Sequence, residues 1–271
     1  MKKYLKIKIE IESAERTEIL IAELSEISFY AFEEVENLLN AYIKEEDFDE
    51  VKLKNILSPK TIFTRETIKE ENWNSQWESG IKPVIINKFV AIRPSFTSVI
   101  NNVKYDLIIT PKMSFGTGHH ATTRLMVEMM ETINFNDNSV IDFGTGTGVL
   151  AILAEKCGAS SVIALDLDEW SIKNAVENIE ANSCHHIELR QQTGLAGVEA
   201  SDIMLANINL NVLKNEVSSI QLATKSGSLI LASGFLINDR DEITNIFEEH
   251  GFVKLKTGQQ GDWLAILFKK I

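Results

Sequence analysis

Residues 140–148 read Val-Ile-Asp-Phe-Gly-Thr-Gly-Thr-Gly, and no other stretch of the chain limits its possible folds so sharply. Val140–Phe143 is a short apolar strand carrying one acid, Asp142. Glycines then occupy 144, 146 and 148, and Val149–Cys157 has helical spacing. A glycine turn lets backbone approach a ligand that a Cβ would push away. Asp166 follows Gly144 by 22 positions and ends the next apolar run. A carboxylate there can accept both hydroxyls of a ribose lying at the carboxyl edge of a sheet.

From Val140 onward, apolar runs and helical stretches alternate. The runs are Val140–Phe143, Ser161–Leu165, Ile203–Ala206 and Gly227–Ala232; the helical stretches are Val149–Cys157, Glu169–Asn182, Leu210–Ala223 and Asp239–His250. Alternation of this kind predicts a parallel sheet covered on both faces. The chain ends in two strands, Phe252–Thr257 and Trp263–Phe268, separated only by Gly258–Asp262. Parallel strands need a crossover of about a dozen residues, so this pair must be antiparallel. A parallel sheet with an antiparallel C-terminal hairpin is the doubly wound sheet of class I methyltransferases, which differs from an ordinary dinucleotide-binding sheet.

The first part reads differently. Tyr4–Ile11 alternates Leu5, Ile7, Ile9 and Ile11 with Lys6, Lys8 and Glu10, the pattern of a half-buried strand. Ser13 suits the N-cap of a helix bearing Leu20, Leu24 and Ile27. Strands are expected at Ser28–Glu34 and Asn37–Ile43, a second helix capped by Asp47, and a last strand at Thr61–Ile68. The order β-α-β-β-α-β predicts a small ferredoxin-like α+β domain. The expected division is a small domain over 1–57, a linker over 58–80 and a larger domain over 81–271. Lys82–Phe96 and Asn102–Thr110 read as a hairpin leading into that domain. Trp73 and Trp77, spaced i and i+4, are expected to anchor the connector, with a substrate platform as the weaker reading.

Composition excludes several classes. No run approaches the ~18 uninterrupted apolar residues of a membrane span, and the N-terminus has no signal-peptide core. Cys157 and Cys184 form no recognisable disulfide or metal framework. A cytoplasmic protein, expected as a monomer, fits these features. The net charge of −12 disfavours nucleic acid and favours a cationic partner.

The glycine turn has two competing readings. A dinucleotide fingerprint, G-x-G-x-x-G, needs its third glycine at 149, which is Val149. The spacing G-x-G-x-G after Asp142 suits S-adenosylmethionine, which has no pyrophosphate to seat on the helix. A second stretch, Gly116-Thr-Gly-His-His-Ala121, matches G-x-G-x-x-A, but no strand-end acid lies about 20 residues beyond it. It reads instead as a pliable loop, followed by a helix from about Arg124 capped by Thr122 or Thr123. His119 and His120 lack carboxylate or cysteine partners at ligand spacing, so no metal is expected. Asn207 ends the Ile203–Ala206 strand; it could orient a cofactor or an incoming amine, or simply cap the next helix.

These segments also carry a resemblance. Pro-Lys-Met-Ser-Phe-Gly-Thr-Gly-His-His-Ala-Thr-Thr, the Asp142–Gly148 turn, Asp166-Leu-Asp168, Ala-Asn-Ile and Trp-Asn-Ser-Gln-Trp at 73–77 together resemble the ribosomal protein L11 methyltransferase (PrmA) family over essentially the whole chain. The resemblance implies a protein methyltransferase acting on N-terminal α-amines and lysine ε-amines of that basic protein. It implies that the small domain captures the substrate, and that Thr123, Gly144, Gly146, Asp166 and Asn207 contact S-adenosylmethionine. Phe115, Gly116 and His119 would line the same pocket. The family's usual His-Pro-Thr-Thr is His120-Ala-Thr-Thr here, its usual threonine before that is His119, and no acid for the adenine stands in Gln191–Gly194. Two rivals remain at this point: a methyltransferase of another protein or small-molecule amine, and a non-catalytic ribosome-associated module that keeps the cofactor fold.

Overall fold

The computed structural model describes residues 4–11, 14–35, 38–58, 61–68, 82–110, 112 and 115–271. Trp73 and Trp77 lie outside them. The chain divides into two compact units, Met1–Gly80 and Ile81–Ile271.

In the first unit, strand β1 (Tyr4–Glu10) alternates buried and half-buried side chains as its sequence dictates. It pairs antiparallel with β3 (Leu38–Lys44) on one side and β4 (Phe63–Ile68) on the other. Strand β2 (Ala31–Val35) pairs with β3, giving the sheet order β2-β3-β1-β4. Leu5, Ile7 and Ile9 meet Leu39, Ala41 and Ile43 in a core closed by Leu20 and Leu24 of α1 (Ala14–Ser25) and Leu53 of α2 (Glu50–Ile56). This is the expected ferredoxin-like sandwich. Because β4 hydrogen-bonds to β1, the small sheet runs past residue 57, and Phe63–Ile68 is a strand rather than linker. Helix α2 is capped by Asp49, whose carboxylate accepts from the Val51 and Lys52 amides, not by Asp47. Asp47 instead ends a 3-10 turn, Glu45–Asp47.

The second unit opens with a three-stranded sheet. Strands β5 (Val84–Ile86) and β6 (Val90–Arg93) make a hairpin, while β7 (Tyr105–Ile108) lies parallel to β6. The expected hairpin of Lys82–Phe96 with Asn102–Thr110 is therefore wrong. The hairpin falls within the first segment because Asn87 adopts a positive φ and turns the chain there. Residues 94–104 then supply the crossover that a parallel pairing requires. Buried Arg93 binds Asp106 through Nε at 2.9 Å and Nη2 at 2.8 Å, fixing β6 to β7.

The main sheet has seven strands in the order β10-β9-β8-β11-β12-β14-β13. They are β8 (Ser139–Phe143), β9 (Ser161–Asp166), β10 (Ile187–Gln191), β11 (Ser201–Asn207), β12 (Thr224–Leu236), β13 (Phe252–Gln260) and β14 (Trp263–Lys270). Strands β8 to β12 run parallel, and β14 pairs antiparallel with both β12 and β13, as the short Gly258–Asp262 connection required. Helices α3 (Ala121–Met130), α4 (Val149–Lys156), α5 (Glu169–Ala181), α6 (Leu210–Leu222) and α7 (Arg240–Glu249) complete the unit. Two buried clusters lie on the sheet, one with Ile152 and Leu205, the other with Ile141, Phe247 and Phe268. No helix among the described residues is long and apolar enough to cross a membrane.

Candidate active site

The order of neighbours around β8 sets the site. Strand β9 lies on one side and β11 on the other, so the chain leaves β8 in one direction and later returns on the opposite side. Such a switch point opens a crevice at the carboxyl ends of the strands. There, Phe143 is level with Leu165 and Ala206, which places the glycine turn, Asp166 and Asn207 along one edge.

The turn is held from below. The Leu165 carbonyl accepts from the Gly144 amide at 2.9 Å and the Thr145 amide at 2.8 Å. Gly146 donates its amide to Asp166 Oδ2 at 2.8 Å, and the Asp168 amide donates to Oδ1 at 3.0 Å. The Asp166 carboxylate is thus aimed by backbone alone. Asp142 is fully buried beneath the turn. Its Oδ2 accepts from the Thr145 hydroxyl at 2.6 Å and the Ala151 amide at 3.1 Å, whereas Oδ1 has no partner among the described residues. Burial pushes its pKa up to about 7 against these two hydrogen bonds, with the Asp166 charge adding to the rise.

The Phe115–Gly118 segment is clasped onto the turn. Thr147 donates its amide to the Phe115 carbonyl at 2.9 Å and its hydroxyl to the Gly116 carbonyl at 2.8 Å. Gly146 sits at φ +55, and a Cβ there would lie 2.3 Å from the Phe115 oxygen, so glycine is required by close approach. Helix α3 begins at Ala121, earlier than Arg124, and its cap is His120. That ring's Nδ1 accepts from the Thr122 amide at 3.2 Å and lies 2.8 Å from the Thr122 hydroxyl. The imidazole makes edge-on contacts with two rings, Phe115 at 5.1 Å and Trp263 at 4.7 Å.

The structure brings together most of the expected residues. Gly146 bonds Asp166 directly, Gly144 opens the same turn from the Leu165 carbonyl, and Phe115 and Gly116 are clasped to the turn through Thr147. Thr123 is buried in the first turn of α3 with its hydroxyl oxygen unpartnered among the described residues. Asn207 is half-buried and its Oδ1 has no partner among the described residues; the cap of α6 is Asn209, which accepts from the Val212 amide at 3.0 Å. The capping alternative for Asn207 therefore fails. His119 is exposed, its Nδ1 3.2 Å from the Thr117 hydroxyl, with no bond to the turn.

Two residues of the site gave no signal in the sequence. Asn178, fully buried on α5, donates to the Thr147 carbonyl and accepts from the Thr110 amide, both at 2.8 Å. One turn later, Asn182 bonds both the amide and carbonyl of Ile108. Through this pair α5 ties the turn to the strand preceding the Phe115 segment. Among the described residues no group of three or more His, Cys, Asp or Glu is placed to hold a metal.

Known proteins match this chain over most of its length. The family described as ribosomal protein L11 methyltransferase (PrmA) matches residues 4–271. The ribosomal protein L11 methyltransferase of Bacteroides thetaiotaomicron is 35% identical over 260 residues, 93% of each chain. That of Chlorobaculum tepidum is 35% identical over 97% of this chain and 96% of its own. The crystal structure of the ribosomal protein L11 methylase from Lactobacillus delbrueckii subsp. bulgaricus superposes with a TM-score of 0.65 at 26% identity, covering 70% of this chain and all of the other. With its switch-point sheet, glycine turn and near full-length relatives, the chain belongs to the ribosomal protein L11 methyltransferase (PrmA) family of class I methyltransferases.

Proposed function

We propose that this enzyme transfers methyl groups from S-adenosylmethionine to amines of ribosomal protein L11, its N-terminal α-amine and lysine ε-amines. The observation that carries the reading is the Asp166 carboxylate fixed on the Gly146 amide, with two buried acceptors on the elements around it, Asn207 Oδ1 and Thr123 Oγ1, unpartnered among the described residues. Unpartnered buried polar atoms cost about 1–3 kcal/mol each, which a polar ligand would offset.

In this reading Asp166 takes the ribose hydroxyls, and the Gly144–Gly146 turn gives the nucleoside close backbone approach. Thr123 and Asn207 offer the remaining polar contacts, and Phe115, Gly116 and His119 line the pocket. When bound, the donor supplies an electrophilic methyl group activated by its own sulfonium. The chain's tasks are then to align the acceptor and to receive it as a neutral amine. At pH 7 a lysine with pKa near 10.4 costs about 4–5 kcal/mol to deprotonate, and an α-amine near 8 about 1 kcal/mol. Exclusion of water lowers both costs by disfavouring the ammonium. Asn207 Oδ1 accepts an N–H of the amine and orients its lone pair, so no dedicated base is invoked.

Charge supports a basic protein partner. Residues 1–80 contain 18 Asp and Glu against 11 Lys and Arg, more than half of the chain's net −12. We assign substrate capture to this unit, with electrostatic attraction raising the encounter rate. The same charge disfavours direct nucleic-acid contact. A cytoplasmic monomer is the state proposed.

The test is transfer of a radiolabelled methyl group to purified ribosomal protein L11. Label on amines that disappears with Asp166→Ala supports the reading. An enzyme that binds the donor yet leaves that protein unlabelled overturns the substrate assignment.

A further inference from the structure

We propose that Trp263 is a positioning residue for the donor site, acting through His120. It stands at the first position of β14, paired with Leu236 and Gln260 in its sheet. From that rigid edge its ring packs edge-on against His120, at 4.7 Å and 69°. Phe115 packs on the same imidazole at 5.1 Å and 60°. His120 is the last residue before α3, and its Nδ1 must point at the Thr122 amide to cap that helix. Nδ1 accepts, so the ring proton lies on Nε2. Torsion about an imidazole's second side-chain bond is soft and roughly two-fold. The two flanking aromatic rings restrict it and select the orientation in which the cap forms.

The chain of contacts leads to the donor site by a short route. The cap holds the first turn of α3, which contains Thr123. Phe115, the other ring packed on the imidazole, accepts from Thr147 in the glycine turn through its carbonyl. One histidine ring thus couples the C-terminal hairpin to both the helix start and the loop over the turn. Misplacement by about 1 Å at such a site can cost about a hundred-fold in rate, so the hairpin's hold on the ring is a functional constraint as well as a packing one.

This inference rests on the donor site proposed above, and its test separates the two. Calorimetric affinity for S-adenosylhomocysteine is measured for the full-length wild type, Trp263→Ala, His120→Ala and the double variant. Each single change is expected to weaken binding about ten-fold. The double variant is expected to lose about the same ten-fold, because both changes break one pathway. Trp263→Phe, which keeps a ring, should bind within about two-fold of wild type. In the ligand-free protein, Trp263→Ala should speed amide hydrogen exchange at Thr122–Arg124 while β12 and β14 keep their protection. Losses that multiply to about a hundred-fold, wild-type affinity in Trp263→Ala, or exchange that rises first in β14 would overturn the positioning role. A wild type that does not bind overturns the donor-site reading itself, and this inference with it.

Discussion

Asp166 and Gly146 stand 20 positions apart in the chain and are joined by a 2.8 Å hydrogen bond from the glycine amide to Oδ2. The same carboxylate takes the Asp168 amide on Oδ1. An ionised carboxylate has about four lone-pair sites, so two are filled by backbone and two remain for a ligand. The group that would read the ribose is oriented before any ligand arrives, and such preorganisation lowers the entropic cost of binding.

Asp166→Ala removes those two acceptor sites and leaves the Gly146 amide without its partner. Hydrogen bonds to a charged group contribute about 1.5–3 kcal/mol each. The expected result is at least a hundred-fold weaker binding of S-adenosylhomocysteine, about 3 kcal/mol. Titration calorimetry checks it, and an affinity within three-fold of wild type would remove Asp166 from the site.

Gly146→Ala tests the close approach of the loop. Alanine at φ +55 is strained by about 1–2 kcal/mol, and its Cβ would meet the Phe115 oxygen at 2.3 Å. Backbone must move, so the Phe115–Thr147 clasp opens. We expect a loss of about 2–4 kcal/mol in stability and a loss of donor binding. Gly261→Ala, at φ +56 with nothing within 4 Å, carries the strain alone and should bind normally. Denaturant midpoints and calorimetry on both variants make the comparison; equal behaviour would refute the clasp.

Much of this site was legible from residues 140–148 and Asp166, because a glycine turn and a strand-end acid act locally along the chain. Six of the seven strands of the main sheet were readable, with the antiparallel sense of the last two; Ile187–Gln191 was not, and the order of the strands was not read. That strand's Glu188 and Arg190 break the apolar run that marked the others, as an edge strand permits. Asn178 and Asn182 were not readable, since their partners lie 68 and 74 residues away. Nothing in a helical pattern separates such an asparagine from a solvated one. Caps were misread where two acceptors stood close together: Asp49 took the role given to Asp47, and His120 the role given to Thr122 or Thr123. The local pattern allowed either; strand ends and packing made the choice.

Asp142 sets a pH dependence with a definite sign. Its folded pKa of about 7 lies above the ordinary carboxylate value because of burial. The folded state therefore holds its proton more tightly than the unfolded chain does. Stability from this group is complete below about pH 4, falls as pH rises, and levels off above about pH 7, a change on the order of 2–4 kcal/mol. Asp142→Asn keeps an acceptor for Thr145 and Ala151 and cannot ionise. Chemical denaturation at pH 5 and pH 8 should show a smaller drop for the variant than for wild type. An identical drop in both proteins would mean Asp142 does not govern it.

Asn207 separates function from stability. Its Oδ1 is buried without a partner among the described residues, so it contributes desolvation cost and no compensating bond. Asn207→Ala removes that cost and only a modest amount of packing from a half-buried position, so thermal stability should hold within about 1 kcal/mol. Methyl transfer should nonetheless fall by at least about ten-fold, and more in kcat than in KM for the protein substrate, because the lost acceptor acts on the aligned amine. Asn207→Asp keeps the acceptor but places a carboxylate where an amide stood. A charge favours the ammonium form of the incoming lysine, which cannot attack. That variant should therefore be impaired most near pH 7 and recover as pH rises toward the lysine range. Steady-state rates across pH 7–10 for the three proteins read this directly. A variant as active as wild type at pH 7, or one whose loss tracks unfolding, would return Asn207 to an ordinary strand-end residue.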